Sequence, residues 1–310
     1  MIAPAGNRKT KILLDGSDPE ETQKIGLLIG GLDGQTISPS LVAKNPQVRR
    51  KVIAGRKLSL EEHRAEYKKI VQKLSPLVGD AGVFIGVSAT LRTTCEELLA
   101  QGREMFSWIP NASIAYPCTY EGLRAARISV EEGIRVNVTF CFSQEQAAGA
   151  YAATQTAESR AYVSPFIGRL SDSGANSADL LSNIQRMYRE GDGHVSILAA
   201  NIRSGEQLLT CLAFKVEMVT APRRVLEEWA LEGMLMPDRP LFRPGLGSDG
   251  RALRPISYRQ FNLNKPWNAF NLRHELTRKG IEKFVADSER ALRRSDRTSR
   301  QDEPRILLPQ

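Results

Sequence analysis

Short β-branched or apolar runs alternate along the chain with longer stretches in which apolar residues recur at helical spacing. Residues 11–15 (KILLD) predict a strand, 19–29 a helix opened by an Asp-Pro step, and 34–38 (GQTIS) a second strand. After Pro39 come a helix and a basic loop. A long amphipathic helix is expected over 59–77, where Ser-Leu-Glu-Glu has the form of a capping box. Six more strands are predicted at 82–87, 112–117, 135–140, 161–165, 194–200 and 215–221, each followed by a helical pattern.

Eight strand-then-helix units with almost continuously apolar strands point to a parallel sheet covered by helices, and eight is the number that closes a barrel. The expected fold is therefore α/β, a (β/α)8 TIM barrel with additional helices, forming one domain over residues 1–294. Residues 235–272, rich in Pro, Gly and Arg, read as an irregular extension before a last helix at 275–294. The tail at 295–310 has no periodicity and is expected to fray.

Composition narrows the class without changing the fold. Of the 310 residues, 41% are hydrophobic and 25% charged, as in an ordinary globular protein. No membrane span or signal peptide is visible, so a cytoplasmic location is expected and no membrane partner. Cys95, Cys118, Cys141 and Cys211 show neither CxxC nor a His at metal-ligand spacing, so reduced, buried thiols are expected. The net charge of +8 gathers at 41–58, with six basic residues and no acid, and at 290–300. Neither stretch carries an aromatic residue for stacking, so a solvated surface is favoured over a nucleic-acid partner.

In such barrels chemistry sits on the loops after the strands. The polar groups expected there are few. Asp15 ends the first strand, Thr139 lies near the end of the fifth, and Ser164 ends the sixth. Arg169 and Arg203 are the only cations close behind strands six and seven. Two planar guanidiniums with Ser164 suit a phosphate monoester, while the competing reading gives each arginine a structural salt bridge at the rim.

The same strings resemble the transaldolase family over nearly the whole chain: LDGSDPEETQKI, GQTISPSLVAKNP, WIPNASIAYPCTYEGLRAA, VNVTFCFSQEQAA, YVSPFIGRLSD, ILAANIR and VTAPRRVLEEW. The resemblance implies a barrel acting on sugar phosphates, a transferase or lyase of carbohydrate metabolism. In the family a strand-four lysine forms a Schiff base with a ketose and passes a dihydroxyacetone unit to an aldehyde. It places the acid/base aspartate on Asp15, the strand-five pair on Asn137 and Thr139, and the phosphate side on Ser164, Phe166, Arg169 and Arg203.

The covalent centre departs from the family's pattern. Its lysine position holds Ala115, its strand-three glutamate Gly86, its strand-two asparagine Ser38, and the serine two before Arg203 is Asn201. Without an amine no iminium forms. Lys11 and Lys215 start strands at the opposite face and Lys44 lies in a helix, so no lysine is expected to reach the mouth. Losing the neighbouring ammonium is expected to raise the pKa of Asp15, unless it is merely hydrogen-bonded to Asn137 or Thr139. Cys118 and Cys141 are counted in the pocket, but no His is expected at a strand end to activate them. Tyr116 is expected to point away from the axis if Ala115 points inward.

Three readings stay open. The first is a divergent enzyme that binds a sugar phosphate or related compound and uses non-imine acid/base chemistry. The second is a non-catalytic binder that kept the phosphate subsite. The third is a transaldolase whose lysine comes from elsewhere or has been replaced by substitution. No metal or other cofactor is implied; the expected partner is a phosphorylated small molecule, with homo-oligomers frequent in the family.

Overall fold

A computed structural model of the protein describes residues 9–53, 58–237 and 250–293. Eight parallel strands close into a barrel in sequence order, β1-β2-β3-β4-β5-β6-β7-β8. They are β1 (Lys11–Asp15), β2 (Gly34–Ile37), β3 (Gly82–Gly86), β4 (Ala112–Pro117), β5 (Val136–Cys141), β6 (Ala161–Pro165), β7 (Val195–Ala199) and β8 (Met218–Ala221). The helices are α1 (Pro19–Ile29), α2 (Pro39–Val42), α3 (Pro46–Ile53), α4 (Leu60–Leu74), α5 (Cys95–Phe106), α6 (Tyr120–Glu131), α7 (Gln144–Ala153), α8 (Ile167–Asp172), α9 (Ser177–Tyr188), α10 (Gly205–Ala213), α11 (Arg223–Leu231) and α12 (Glu275–Arg293).

The architecture is the (β/α)8 barrel that the alternation predicts, and most boundaries fall within two residues. The differences have local causes. The helix expected after Pro39 divides into α2 and α3, because the Asn45 carboxamide accepts from Gln47 N (2.9 Å) and Pro46 starts a new helix. Ser59 caps α4 in the expected capping box with Glu62, while its far end tightens into a 3-10 turn, Ser75–Leu77, where Pro76 cannot continue the α ladder. β8 begins three residues late because Lys215 takes a left-handed φ of 53° and the chain is still turning out of α10.

Strand alternation divides the core in two. Outward residues such as Ile12, Leu14, Ile85, Ile114, Val138 and Val163 pack under the helices. Inside the barrel Leu13, Phe84, Leu198 and Met218 form a separate apolar layer, with Tyr162 edge-on to Phe84 at 5.0 Å. This plug fills the barrel below its C-terminal end. The next inward layer is the floor of the mouth.

The irregular extension is held along the outside near α6–α9. Residues 174–176 pair with Arg254, Asp179 accepts from Ile256 N, and Gln144 exchanges bonds with Arg259. Its residues 238–249 and the tail expected to fray lie outside the described residues. Among the described residues no helix is long and apolar enough to cross a membrane.

Candidate active site at the barrel mouth

Above the apolar plug, residues from all eight strands or their ends converge on one cavity of about 510 Å³. Asp15, Thr36, Ser38, Gly86, Ala115, Asn137, Thr139, Ser164, Phe166, Arg169, Asn201, Arg203 and Thr220 all line it. Every polar residue proposed from the sequence is thus at one place. Pairing explains the convergence: Asp15 lies opposite Thr36, Gly86 opposite Ala115, and Ala115 opposite Asn137. Each is inward by alternation.

Cys118 and Cys141 do not line the cavity. Both are fully buried on the outer side of the barrel wall, where Cys118 Sγ contacts Gln146 O (3.9 Å) and Cys141 Sγ contacts Ser143 O (3.5 Å). Simple alternation would place Cys141 inward with Asn137 and Thr139. The register between β5 and β6 shifts after Val138, and Phe140 adopts a left-handed φ of 59°, so Phe140 enters the cavity instead. Burial, with the neighbouring Cys141 second, pushes the Cys118 thiol well above its ordinary value, the opposite of an activated nucleophile. Tyr116 points outward as alternation requires, its hydroxyl 2.9 Å from Ser129 Oγ under α6.

The mouth around β5–β7 is pre-ordered. Ser164 Oγ donates to Asn137 Oδ1 (2.9 Å), and Asn201, held at a left-handed φ of 58°, accepts from Arg169 N through Oδ1 (2.9 Å). Arg203 forms an ion pair with Asp172, so the structural salt bridge weighed for it is present. Arg169 differs: its Nη1 is buried without an acceptor among the described residues. Burial, then the like charge of Arg203, pushes the Arg169 guanidinium below its ordinary pKa, although an arginine remains charged.

On the other side Asp15, partly buried, accepts from Thr36 Oγ1 (2.8 Å), which is 2.7 Å from Thr220 Oγ1. Its hydrogen-bond partner is therefore Thr36, not Asn137 or Thr139. Its pKa is raised, the direction expected, but the cause is burial, not a missing ammonium: the Thr36 hydrogen bond and the charge of Lys44 both act to lower it. The two hydroxyls can also turn round, so the chain suits either protonation state of the carboxyl.

The presence of Lys44 corrects the expectation that no lysine reaches the mouth. The break between α2 and α3 ends the helix just before Lys44, which lines the cavity and ion-pairs with Asp287 at 3.6 Å. His63 of α4 also lines it, with Nε2 buried and unpartnered and its pKa lowered by burial, which keeps the imidazole neutral at pH 7.

Sequence reading also missed the roof. α12 crosses the mouth and contributes Ile281, Lys283, Phe284 and Asp287 to the cavity. It is fastened by Gln146, whose Nε2 donates to Thr277 Oγ1 (2.9 Å) and Leu272 O (3.1 Å), while Thr277 Oγ1 donates to Phe140 O (2.9 Å). Gly280 makes the close approach possible, since a Cβ there would lie 2.5 Å from Arg169 Nη1 and 2.8 Å from Phe140. The signals available were the glycine in an otherwise regular helix and the Gln in NVTFCFSQEQA, neither of which reveals its distant partner.

The sequence model for "Transaldolase/Fructose-6-phosphate aldolase" matches residues 12–295. A probable transaldolase of Dehalococcoides mccartyi is 33% identical over 217 residues, 70% of this chain and 88% of that protein. One from Bacteroides thetaiotaomicron is 33% identical over 236 residues, covering 76% and 94%. Another, from Cereibacter sphaeroides, is 30% identical over 232 residues, covering 74% and 92%.

Proposed function

Since the chain belongs to the transaldolase/fructose-6-phosphate aldolase family, we propose that it binds a sugar phosphate or related phosphorylated compound at the barrel mouth and acts on it by acid/base chemistry without an imine. The observation that carries this reading is Arg169: a cavity-lining guanidinium with a buried nitrogen that has no acceptor among the described residues. Leaving a buried charged donor unpaired costs several times what a surface donor would cost, and a phosphate oxygen supplies the missing acceptor. Arg203 and Ser164 line the same cavity and add a second cation and a hydroxyl.

Asp15 is the proton-transfer group in this reading. It is partly buried, and desolvation raises its pKa above the ordinary carboxylate value. Position 115, where the family resemblance calls for lysine, holds an inward alanine, which leaves nothing on β4 to form an iminium. Tyr116 and the cysteines lie behind the wall, so they offer no replacement.

Thermal-shift titration with phosphorylated sugars and biosynthetic intermediates tests the binding half. At least one should stabilise the protein, and Arg169→Ala should weaken that ligand by about 2 kcal/mol, roughly 30-fold. Equal shifts for parent and variant with every phosphorylated compound would remove the phosphate assignment. Borohydride treatment with fructose 6-phosphate tests the chemical half. The expectation is no covalent adduct; a trapped one would restore the imine mechanism. Solvent deuterium incorporation beside the carbonyl of a bound ligand, lost in Asp15→Asn, would then mark the acid/base step.

A further inference from the structure

The cations of the cavity stand at two ends. Arg169 and Arg203 follow β6 and β7, while Lys44 follows β2, which faces them across an eight-stranded barrel. α12 bridges the gap and gives its scale. Gly280 sits against Arg169, and Asp287 ion-pairs with Lys44. Seven residues at the helical rise separate these two contacts by about 10 Å. That is close to the spacing of the terminal phosphates in an extended five- or six-carbon sugar bisphosphate.

At the Lys44 end two lysines meet on one carboxylate, and Glu289 of α12 also lines the cavity. Asp287 Oδ2 is shared by Lys44 Nζ and Lys283 Nζ, each at 3.6 Å, so one carboxylate faces two ammoniums. Both contacts are longer than the roughly 2.8 Å of a well-formed charge-assisted hydrogen bond. Both lysine side chains are more than half exposed, at 54% and 59%, and both line the cavity. Their remaining donors are open to an incoming anion.

We infer that Lys44 and Lys283 form a second anion subsite, so that the ligand carries an anionic group at each end: one at Arg169 and Arg203, the other between the two lysines. Asp287 holds the lysines in place in the free protein and competes with the ligand's second anion. This inference rests on the phosphate reading above and adds the ligand's second charge.

Calorimetric titration of the full chain with fructose 6-phosphate, fructose 1,6-bisphosphate and 6-phosphogluconate is the test. The bisphosphate should bind at least tenfold more tightly than the monophosphate. 6-Phosphogluconate, which carries a carboxylate at the far end, distinguishes a phosphate subsite from one that accepts any anion: it should share the advantage only in the second case. Lys44→Ala with Lys283→Ala should bring the affinity ratio of bisphosphate to monophosphate to about one, and Asp287→Asn should widen it. Monophosphate binding with no advantage for either dianionic-ended ligand, or an advantage that survives the double lysine variant, overturns the subsite alone. Failure of all three compounds to bind, with Arg169→Ala indistinguishable from the parent, overturns the phosphate reading instead.

Discussion

Across the mouth, β5–β7 and β2–β4 present opposite kinds of surface. On β5–β7 the polar groups are largely held: Ser164 on Asn137, Asn201 on the Arg169 backbone and Arg203 on Asp172, while Arg169 keeps a buried nitrogen with no acceptor among the described residues. On β2–β4 the corresponding inward positions are Ser38, Gly86 and Ala115, which offer a hydroxyl and empty space. The first surface is built to grip an anion; the strands of the second carry no amine at the mouth, and the lysine that follows β2, Lys44, is ion-paired with Asp287. Recognition and covalent chemistry occupy different strands of this barrel, so one can persist while the other goes, and fold alone does not decide which.

The largest expected effect comes from refilling the emptied side. Ala115→Lys combined with Ser38→Asn and Gly86→Glu should change the outcome of borohydride trapping with fructose 6-phosphate from no adduct to a mass increase at position 115. Space permits it: a Cβ at Gly86 would meet Ile37 O at 3.3 Å and Ser38 at 3.5 Å, tight contacts that a small shift relieves. No adduct in the triple variant, folded by circular dichroism, would mean that divergence reaches beyond these three positions.

The next effect tests whether the gripping side owes its order to the roof. Gln146→Leu removes the donor to Thr277 and Leu272 and the acceptor for Phe142 N (2.8 Å), leaving buried partners unsatisfied. Denaturant unfolding should show a loss of about 2–4 kcal/mol. A loss within 0.5 kcal/mol, the order expected of a surface change, would mean that α12 is held by its apolar contacts, Phe284 on Phe140 at 5.0 Å among them.

A smaller difference separates the two arginines. Arg203 already has Asp172, so Arg203→Ala should weaken a phosphorylated ligand less than tenfold, whereas Arg169→Ala costs about 30-fold. Equal losses would mean that the ion pair opens on binding and that the two guanidiniums act as one clamp.

How much of this was legible in the sequence depends on the distance over which each contact forms. Alternation within one strand and the position of strand ends are local properties, and they placed Asp15, Thr139, Ser164, Gly86 and Ala115 correctly in the mouth, while Asn137 came from the family resemblance. A single non-local irregularity, the register shift at Phe140, was enough to misplace Cys141. Lys44 was missed because the apolar pattern runs on through Asn45-Pro46, while the side-chain cap that breaks the helix there depends on Asn45 geometry. The roof was invisible for the strongest reason. Thr277, Gly280 and Asp287 meet Phe140, Arg169 and Lys44 across more than a hundred residues of chain, and an amphipathic pattern shows that a helix has an apolar face without showing what lies under it. Thr220 falls at the expected end of the eighth strand, and Thr36, inward by the same alternation, is legible from its place two residues before Ser38.

The smallest effect separates a carboxyl placed for proton transfer from one that merely packs. In the folded chain the Asp15 pKa lies above its value of 3.8 in an unperturbed state, because burial disfavours the charge more than Thr36 and Lys44 restore it. Between those two pKa values the folded state binds more protons than the unfolded one, so stability falls as pH rises through that window and is then constant above it. Asp15→Asn keeps an acceptor for Thr36 and removes the charge. The variant should therefore be more stable than the parent at pH 7, by about 1 kcal/mol for each unit by which the pKa is raised, and its stability should no longer fall across the window. Denaturant unfolding of both proteins from pH 4 to 8 gives the answer. Parallel curves, or a less stable variant at pH 7, would mean that Lys44 and the threonines fully compensate the burial, leaving an ordinary structural carboxylate. A stabilised but inactive variant would place Asp15 among the residues whose cost to the fold is retained for chemistry.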